Sequence, residues 1–177
     1  YELNKDNLNW SLALNKKEEN KEALAGLTEF VGKYPEVISV DVVGWASPEG
    51  ELNRNQELSS NRSKTAQKWF EGEYDKYIKK VAKEQKVKPA DIKKEIKYNT
   101  DDKGEDWDGF LAAVAASAIK DKDQILNVIR SQADRDQRQQ QIRNMIAIYN
   151  EIDDILPNLR RAIIKVNCTD RSEEHTS

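Results

Sequence analysis

The sequence predicts an α+β fold, in which a small mixed β-sheet is covered by helices. Apolar runs typical of strands alternate with stretches of helical periodicity, and a long helical stretch precedes the last predicted strand. At 177 residues the chain is long enough to bury its own core. We therefore expect one domain over residues 1–170, with a helical insertion at about 105–156 and a polar tail at 171–177.

Four segments are predicted to be strands. In Leu8–Leu14 apolar residues alternate with polar ones, which is typical of a strand with one buried face. The run Val37–Val43 is rich in β-branched residues and fits an interior strand that Gly44 closes. Glu95–Tyr98 is a weaker candidate, and Ala162–Asn167 closes the sheet.

The helices are predicted from apolar residues at three- and four-residue spacings. The first spans Glu18–Tyr34, and the second spans Asn53–Phe70 with Asn53 or Asn55 as its N-cap. Tyr74–Glu84 either extends this second helix or follows it. Three more belong to the insertion, the last of them stopped by Pro157, and they are marked by Trp107–Ala118, Ile125–Ile129 and Ile142–Leu156.

Composition excludes several classes of function. A net charge of -3, with 29 basic and 32 acidic residues mixed along the chain, gives no electrostatic case for nucleic acid or a membrane surface. The one cysteine, Cys168, excludes an internal disulfide, and the one histidine, His175, excludes histidine-rich metal sites and histidine-based triads. No apolar run is long enough for a transmembrane helix. The start at Tyr1 suggests a fragment of a longer protein, and the sequence given contains no basic start followed by a hydrophobic stretch that would indicate a secretion signal.

One acidic segment has a weak likeness to a calcium loop. Asn99–Gly104 starts with suitable residues, but Lys103 and Phe110 occupy positions at which calcium loops need oxygen ligands. We therefore predict a solvated acidic turn and no metal site.

The chemistry is concentrated where a predicted strand meets a predicted helix. The loop Gly44–Gly50 is followed by Asn55, Leu58, Ser59 and Arg62, which share one helix face. Arg62 is predicted to be partly buried, and its planar guanidinium then needs an acceptor. The acceptor is either a ligand carboxylate or an internal group, namely Glu49 or a backbone carbonyl.

For other residues of this region, two interpretations are possible. Trp45 either stacks on a ligand or belongs to the core, and Ser47 either orients a ligand or only shapes a turn. Arg161, with Arg160 beside it, either flanks the pocket or caps the preceding helix.

The series Gly-x-x-x-x-x-Gly followed by Asn-x-x-Leu-Ser-x-x-Arg resembles the OmpA-like domain family, in a variant associated with Bacteroides-type bacteria. Leu159–Val166 resembles that family's closing Arg-Arg strand. The resemblance covers roughly residues 8–99 and 157–167. It implies a periplasmic domain, attached to the outer membrane through a part of the protein not present here, that binds peptidoglycan without catalysis or cofactor.

In that family an aspartate of the loop pairs with the ammonium of diaminopimelate and the helix arginine pairs with its carboxylate. The resemblance assigns the arginine role to Arg62, and the chemistry of the loop and helix adds Trp45, Ser47, Glu49, Asn55 and Arg161 as candidate ligand residues. Ser47 replaces the aspartate, which would cost about 1.5–3 kcal/mol of binding unless Glu49 or Glu51 substitutes. The alternative function is a protein-interaction module that uses an exposed stripe of the insertion, namely Ile142, Met145, Tyr149 and Ile152. A hydrolase is disfavoured, since the chain offers no acid/base pair or activated nucleophile.

Overall fold

The structure, a computed structural model, describes residues 1–33 and 37–168. The predicted helix end at Tyr34 and the polar tail with His175 lie outside these residues. In chain order the described elements are α1 (Glu18–Lys33), β1 (Val37–Ala46), α2 (Leu52–Gln85), α3 (Pro89–Ile92), β2 (Lys97–Glu105), α4 (Trp107–Ala116), α5 (Lys122–Ser131), α6 (Arg135–Ile146), α7 (Asn150–Leu159) and β3 (Ala162–Cys168).

The sheet has the order β2-β1-β3, with β1 in the centre. β2 runs parallel to β1, from the pair Ser39 and Lys97 to the pair Ala46 and Glu105. β3 runs antiparallel to β1 and ends the described chain. The predicted fold class is confirmed, because helices pack with a mixed sheet and four helices precede the last strand.

Helix α2 packs one face on the sheet and forms the first core with it. Its buried residues recur every three or four positions along the helix. Gly44 makes the contact close, because a Cβ at this position would lie 1.9 Å from the carbonyl oxygen of Ser59. The first core consists of Val37, Val40, Val42, Ala66, Phe70, Tyr74 and Ile78.

The insertion has a second core of its own. Helices α4–α7 enclose apolar side chains that are almost completely shielded from solvent, including Phe110, Ile142 and Ile152. The two cores meet at polar contacts around the loop that joins β1 to α2. The candidate site therefore lies at the seam between the sheet and the insertion.

The predicted first strand, Leu8–Leu14, is wrong. This segment forms turns, in which the Ser11 amide donates to Oδ1 of Asn9 at 2.9 Å and the Leu12 amide donates to the Asn9 carbonyl at 3.3 Å. A short 3-10 turn follows at Leu14–Lys16. Asparagine favours such local bonds, and they replace the ladder that an alternating pattern would otherwise indicate.

The predicted acidic turn at Asn99–Gly104 is also wrong, because this segment belongs to β2. The weak strand predicted at Glu95–Tyr98 instead begins at Lys97 and continues to Glu105. Pairing with β1 supplies the hydrogen bonds, and the exposed charged side chains are typical of an edge strand.

Three helix boundaries differ from the prediction. Helix α2 continues to Gln85, so the alternative that Tyr74–Glu84 extends it is the one observed, but its N-cap is Glu51 rather than an asparagine. The predicted third insertion helix is two helices, α6 and α7, because a tight turn at residues 147–149 reverses the chain. Pro157 lies inside α7, which continues to Leu159, where a buried side chain anchors the last turn.

Candidate functional site

Arg62 lies on α2 at the C-terminal end of β1, and its side chain is completely buried. Nη1 donates to the carbonyl oxygen of Trp45 at 2.9 Å. Nε and Nη2 both donate to the carbonyl of Lys5, at 3.1 and 2.8 Å, and Nη2 also donates to that of Glu2 at 3.2 Å. Of the acceptors considered from the sequence, a backbone carbonyl is therefore the one observed.

The two edges of this guanidinium have different partners. Nη1 is held by the site's own strand, whereas the Nε and Nη2 edge is covered by residues 1–6, which we call the cover segment. The Tyr1 ring lies 5.1 Å from the guanidinium carbon, and its hydroxyl donates to the Arg62 carbonyl at 3.0 Å. Asp6 fixes the other end of the segment, since it accepts from Asn61 at 2.9 Å.

The carboxylates nearest to Arg62 bond to other partners, as Asp6 does to Asn61 and Glu49 to Arg160. Among residues 1–33 and 37–168 no carboxylate forms an ion pair with Arg62, and Glu49 pairs with Arg160 instead at 2.7 Å. The second oxygen of Glu49 is buried and lacks a hydrogen-bond partner among the described residues. Burial, followed by the charge of Arg160, lowers the pKa of Arg62 to about 10. Two guanidinium groups thus lie close together in a poorly solvated place, where the charges of Glu49 and Asp6 offset part of their repulsion.

The loop from Ser47 to Gly50 is held by a buried polar network. Ser47 is 3% exposed, and Asn55 donates to Oε1 of Glu105 at 2.7 Å. Glu105, at the end of β2, also accepts from Trp107 at 2.9 Å and forms an ion pair with Arg135 of α6. The predicted ligand residues Ser47 and Asn55 therefore support the loop in this structure.

Trp45 and Arg161 form a neighbouring pair on the other side of β1. The Arg161 guanidinium carbon lies 5.2 Å from the centre of the Trp45 ring. Arg161 also pairs with Asp106, which caps α4 by accepting from the Gly109 amide at 2.9 Å. Arg161 thus contacts the N-terminus of α4 through Asp106. Trp45 itself is half-buried.

The structure brings the six sequence-predicted residues around one loop, but three of them, Arg62, Ser47 and Asn55, are buried. Sequence reasoning missed Glu105, Arg135 and the cover segment. Glu105 and Arg135 were counted only as part of the helical insertion, and nothing in their local sequence indicates that they form a buried pair. The cover segment bonds to the Arg62 guanidinium through carbonyl groups, which every residue has.

Neither the models of known protein families nor the curated proteins compared with the sequence match it. The resemblance to the OmpA-like family stays a prediction that rests on the residues quoted for it.

Within the part of the chain that the structure describes, three further findings bear on function. No group of three or more histidine, cysteine or carboxylate side chains is arranged to hold a metal ion. No helix has the length and apolarity to cross a bilayer. Cys168 is a free, half-buried thiol whose pKa is raised by burial.

The apolar stripe of the insertion is not an exposed surface. Ile142 and Ile152 are completely buried, Met145 is 7% exposed, and Tyr149 packs against the same core. These residues face the other insertion helices rather than the sheet. The feature that would favour an interaction module at this stripe is therefore absent from residues 1–33 and 37–168.

Proposed function

We propose that this chain binds peptidoglycan without covalent linkage and so attaches an envelope protein to the cell wall, with Arg62 holding a carboxylate of the stem peptide. The observation that carries the proposal is a buried guanidinium whose carboxylate-binding edge, among the described residues, donates to two backbone carbonyls and to no carboxylate. That edge, Nε with Nη2, is suited to hold a carboxylate in two parallel hydrogen bonds. The sequence resemblance supports the same ligand.

The ligand replaces the cover segment in this proposal. A carboxylate in place of the Lys5 and Glu2 carbonyls keeps both hydrogen-bonding donors of the edge satisfied. It also adds a negative charge directly beside Arg62, whereas Glu49 is paired with Arg160. The bond from Nη1 to the Trp45 carbonyl stays in place and keeps the guanidinium oriented.

Sedimentation with purified peptidoglycan sacculi tests the proposal. The intact chain should sediment with the sacculi, and Arg62→Lys should bind at least about tenfold more weakly, because one ammonium group cannot make two parallel bonds. Circular dichroism of each variant confirms that it is folded. Failure of the intact chain to sediment, or equal binding by folded Arg62→Lys, refutes the proposal.

A second variant loosens the cover segment without changing Arg62. Asn61→Ala removes the hydrogen bond to Asp6, which is about 0.5–1.5 kcal/mol of net stabilisation for the covered state. Sacculus binding should then become about two- to tenfold tighter, since less free energy is needed to uncover the guanidinium. Asn127→Ala, at an exposed position of α5, is the matched control and should bind like the parent.

A further inference from the structure

Helix α6 of the insertion lies along the candidate loop and fixes its backbone. Arg135 donates to the Gly50 carbonyl at 2.6 Å, and Gln139 donates to the Glu49 carbonyl at 2.9 Å. Arg135 is itself held by its ion pair with the buried Glu105. The loop is thus clamped from the insertion side by two side chains one helical turn apart.

The same stripe of α6 continues beyond the loop to Arg143. Positions 135, 139 and 143 are separated by four residues each, so their side chains project from one face, at steps of about 6 Å. Arg143 lines a cleft of about 460 Å³ together with Leu3, Asn4, Glu49, Gly50, Glu51 and Arg54. This cleft separates α6 from residues 3 and 4 of the cover segment.

Two side chains of opposite charge remain available in this cleft. Arg54 pairs with Glu57 at 2.7 Å, and Glu49 pairs with Arg160. Arg143 and Glu51 are exposed and form no side-chain hydrogen bond or ion pair within the described residues. A ligand with both a carboxylate and an ammonium group would therefore complement the cleft.

We propose that α6 forms one wall of the ligand cleft, with Arg143 binding a ligand carboxylate, Glu51 binding a ligand ammonium group, and Arg135 and Gln139 positioning the loop opposite them. This inference rests on the proposed function and deepens it, because it gives the insertion a role in ligand binding. It also places a solvent-accessible contact where an incoming stem peptide can bind before the cover segment leaves Arg62.

Titration of isotopically labelled protein, followed by nuclear magnetic resonance at the Gly50 and Arg143 amides, tests the inference. The two ligands are diaminopimelate and pimelate, which share a dicarboxylate chain, while only the first carries ammonium groups. Both should cause saturable shifts in the parent. Arg143→Ala should weaken both ligands about three- to tenfold, and Glu51→Gln should weaken diaminopimelate but not pimelate. Arg130→Ala, an exposed arginine of α5, is the control.

The outcomes separate this inference from the wall-binding proposal. Absence of saturable shifts in the parent, or an Arg143→Ala variant that titrates like Arg130→Ala, overturns the cleft. Saturable shifts that depend on Arg143, combined with no sedimentation on sacculi, support the cleft and refute wall binding. Sedimentation that depends on Arg62 but not on Arg143 supports wall binding and refutes the cleft.

Discussion

Gly44→Ala should destabilise the protein strongly, because Gly44 is where α2 lies closest to the sheet. The added Cβ would stand 1.9 Å from the Ser59 carbonyl oxygen and 2.8 Å from the Ser63 amide nitrogen. The first of these distances is about 1.5 Å short of a normal van der Waals separation. Both contacts are with helix backbone, so no side-chain rotation relieves them, and α2 must move as a unit.

The expected cost is at the upper end of the range for overpacking, about 3 kcal/mol of unfolding free energy. For a chain of this size that lowers the melting temperature by about 6–12 °C. The same movement pulls Arg62 away from the Trp45 carbonyl, which is now 2.9 Å from Nη1. Sacculus binding should therefore weaken together with stability.

Gly72→Ala is the matched control on the same helix. A Cβ at Gly72 meets no atom within 4 Å, and alanine is the better helix former. This variant should gain about 0.5–1 kcal/mol. Thermal and urea unfolding, followed by far-ultraviolet circular dichroism, measure both. A Gly44→Ala variant that melts with or above the parent would refute the close-approach argument.

Three further predictions concern the seam, the sheet and the insertion core. Arg135→Ala should lower the unfolding free energy by about 2–4 kcal/mol, since it leaves Glu105 buried without its cation, and adding Glu105→Gln should recover part of the loss in a double-mutant cycle. Burial raises the pKa of Tyr98 to about 12, so the neutral phenol stabilises the fold below pH 10, and this contribution declines as the pH rises towards 12. The unfolding free energy of Tyr98→Phe should therefore depend less on pH across this range than that of the parent. Phe110→Ala should cost about 3–5 kcal/mol in urea unfolding, whereas Ile148→Ala, at a side chain 70% exposed, should change stability by less than about 0.5 kcal/mol.

The sequence was sufficient to predict those helices and strands whose burial follows from the pattern of their own apolar residues. Val37–Val43 and Ala162–Asn167 are strands as predicted, because both are apolar on the face that meets α2. Leu58 and Phe70 face the core as predicted from their spacing. The insertion was recognised for the same reason, since its apolar residues follow helical periods.

The strand predictions were wrong where backbone hydrogen bonding, rather than side-chain pattern, decides the conformation. Lys97–Glu105 has the polar composition of a turn, and pairing with β1 makes it a strand. In Leu8–Leu14 apolar and polar residues alternate as in a strand, but hydrogen bonds within the segment fold it into turns. Local composition cannot show which backbone groups will find a partner, so it misassigned both segments.

The candidate site is subject to the same limit. Arg62 was predicted to be buried and in need of an acceptor, and its burial is confirmed. Its acceptors are the carbonyls of residues 57 and 60 positions earlier and that of Trp45 in β1, and a carbonyl group has no side-chain signature. That a buried arginine can bond to a backbone carbonyl follows from its chemistry. Which carbonyl it bonds to can be known only from the three-dimensional structure.

The cover segment makes ligand affinity depend on how often Arg62 is uncovered. If the Nε and Nη2 edge is free in about one molecule in a hundred, the measured affinity is about a hundredfold weaker than that of the uncovered state, a difference of about 2.8 kcal/mol. The charge-assisted bonds from Arg62 to the Lys5 carbonyl, with the Tyr1 contact, are enough to hold such an equilibrium. Tyr1→Phe removes only the hydroxyl bond and Tyr1→Ala also removes the ring contact, so sacculus affinity should rise in that order. A decrease in the same order would mean that the cover segment belongs to the binding surface.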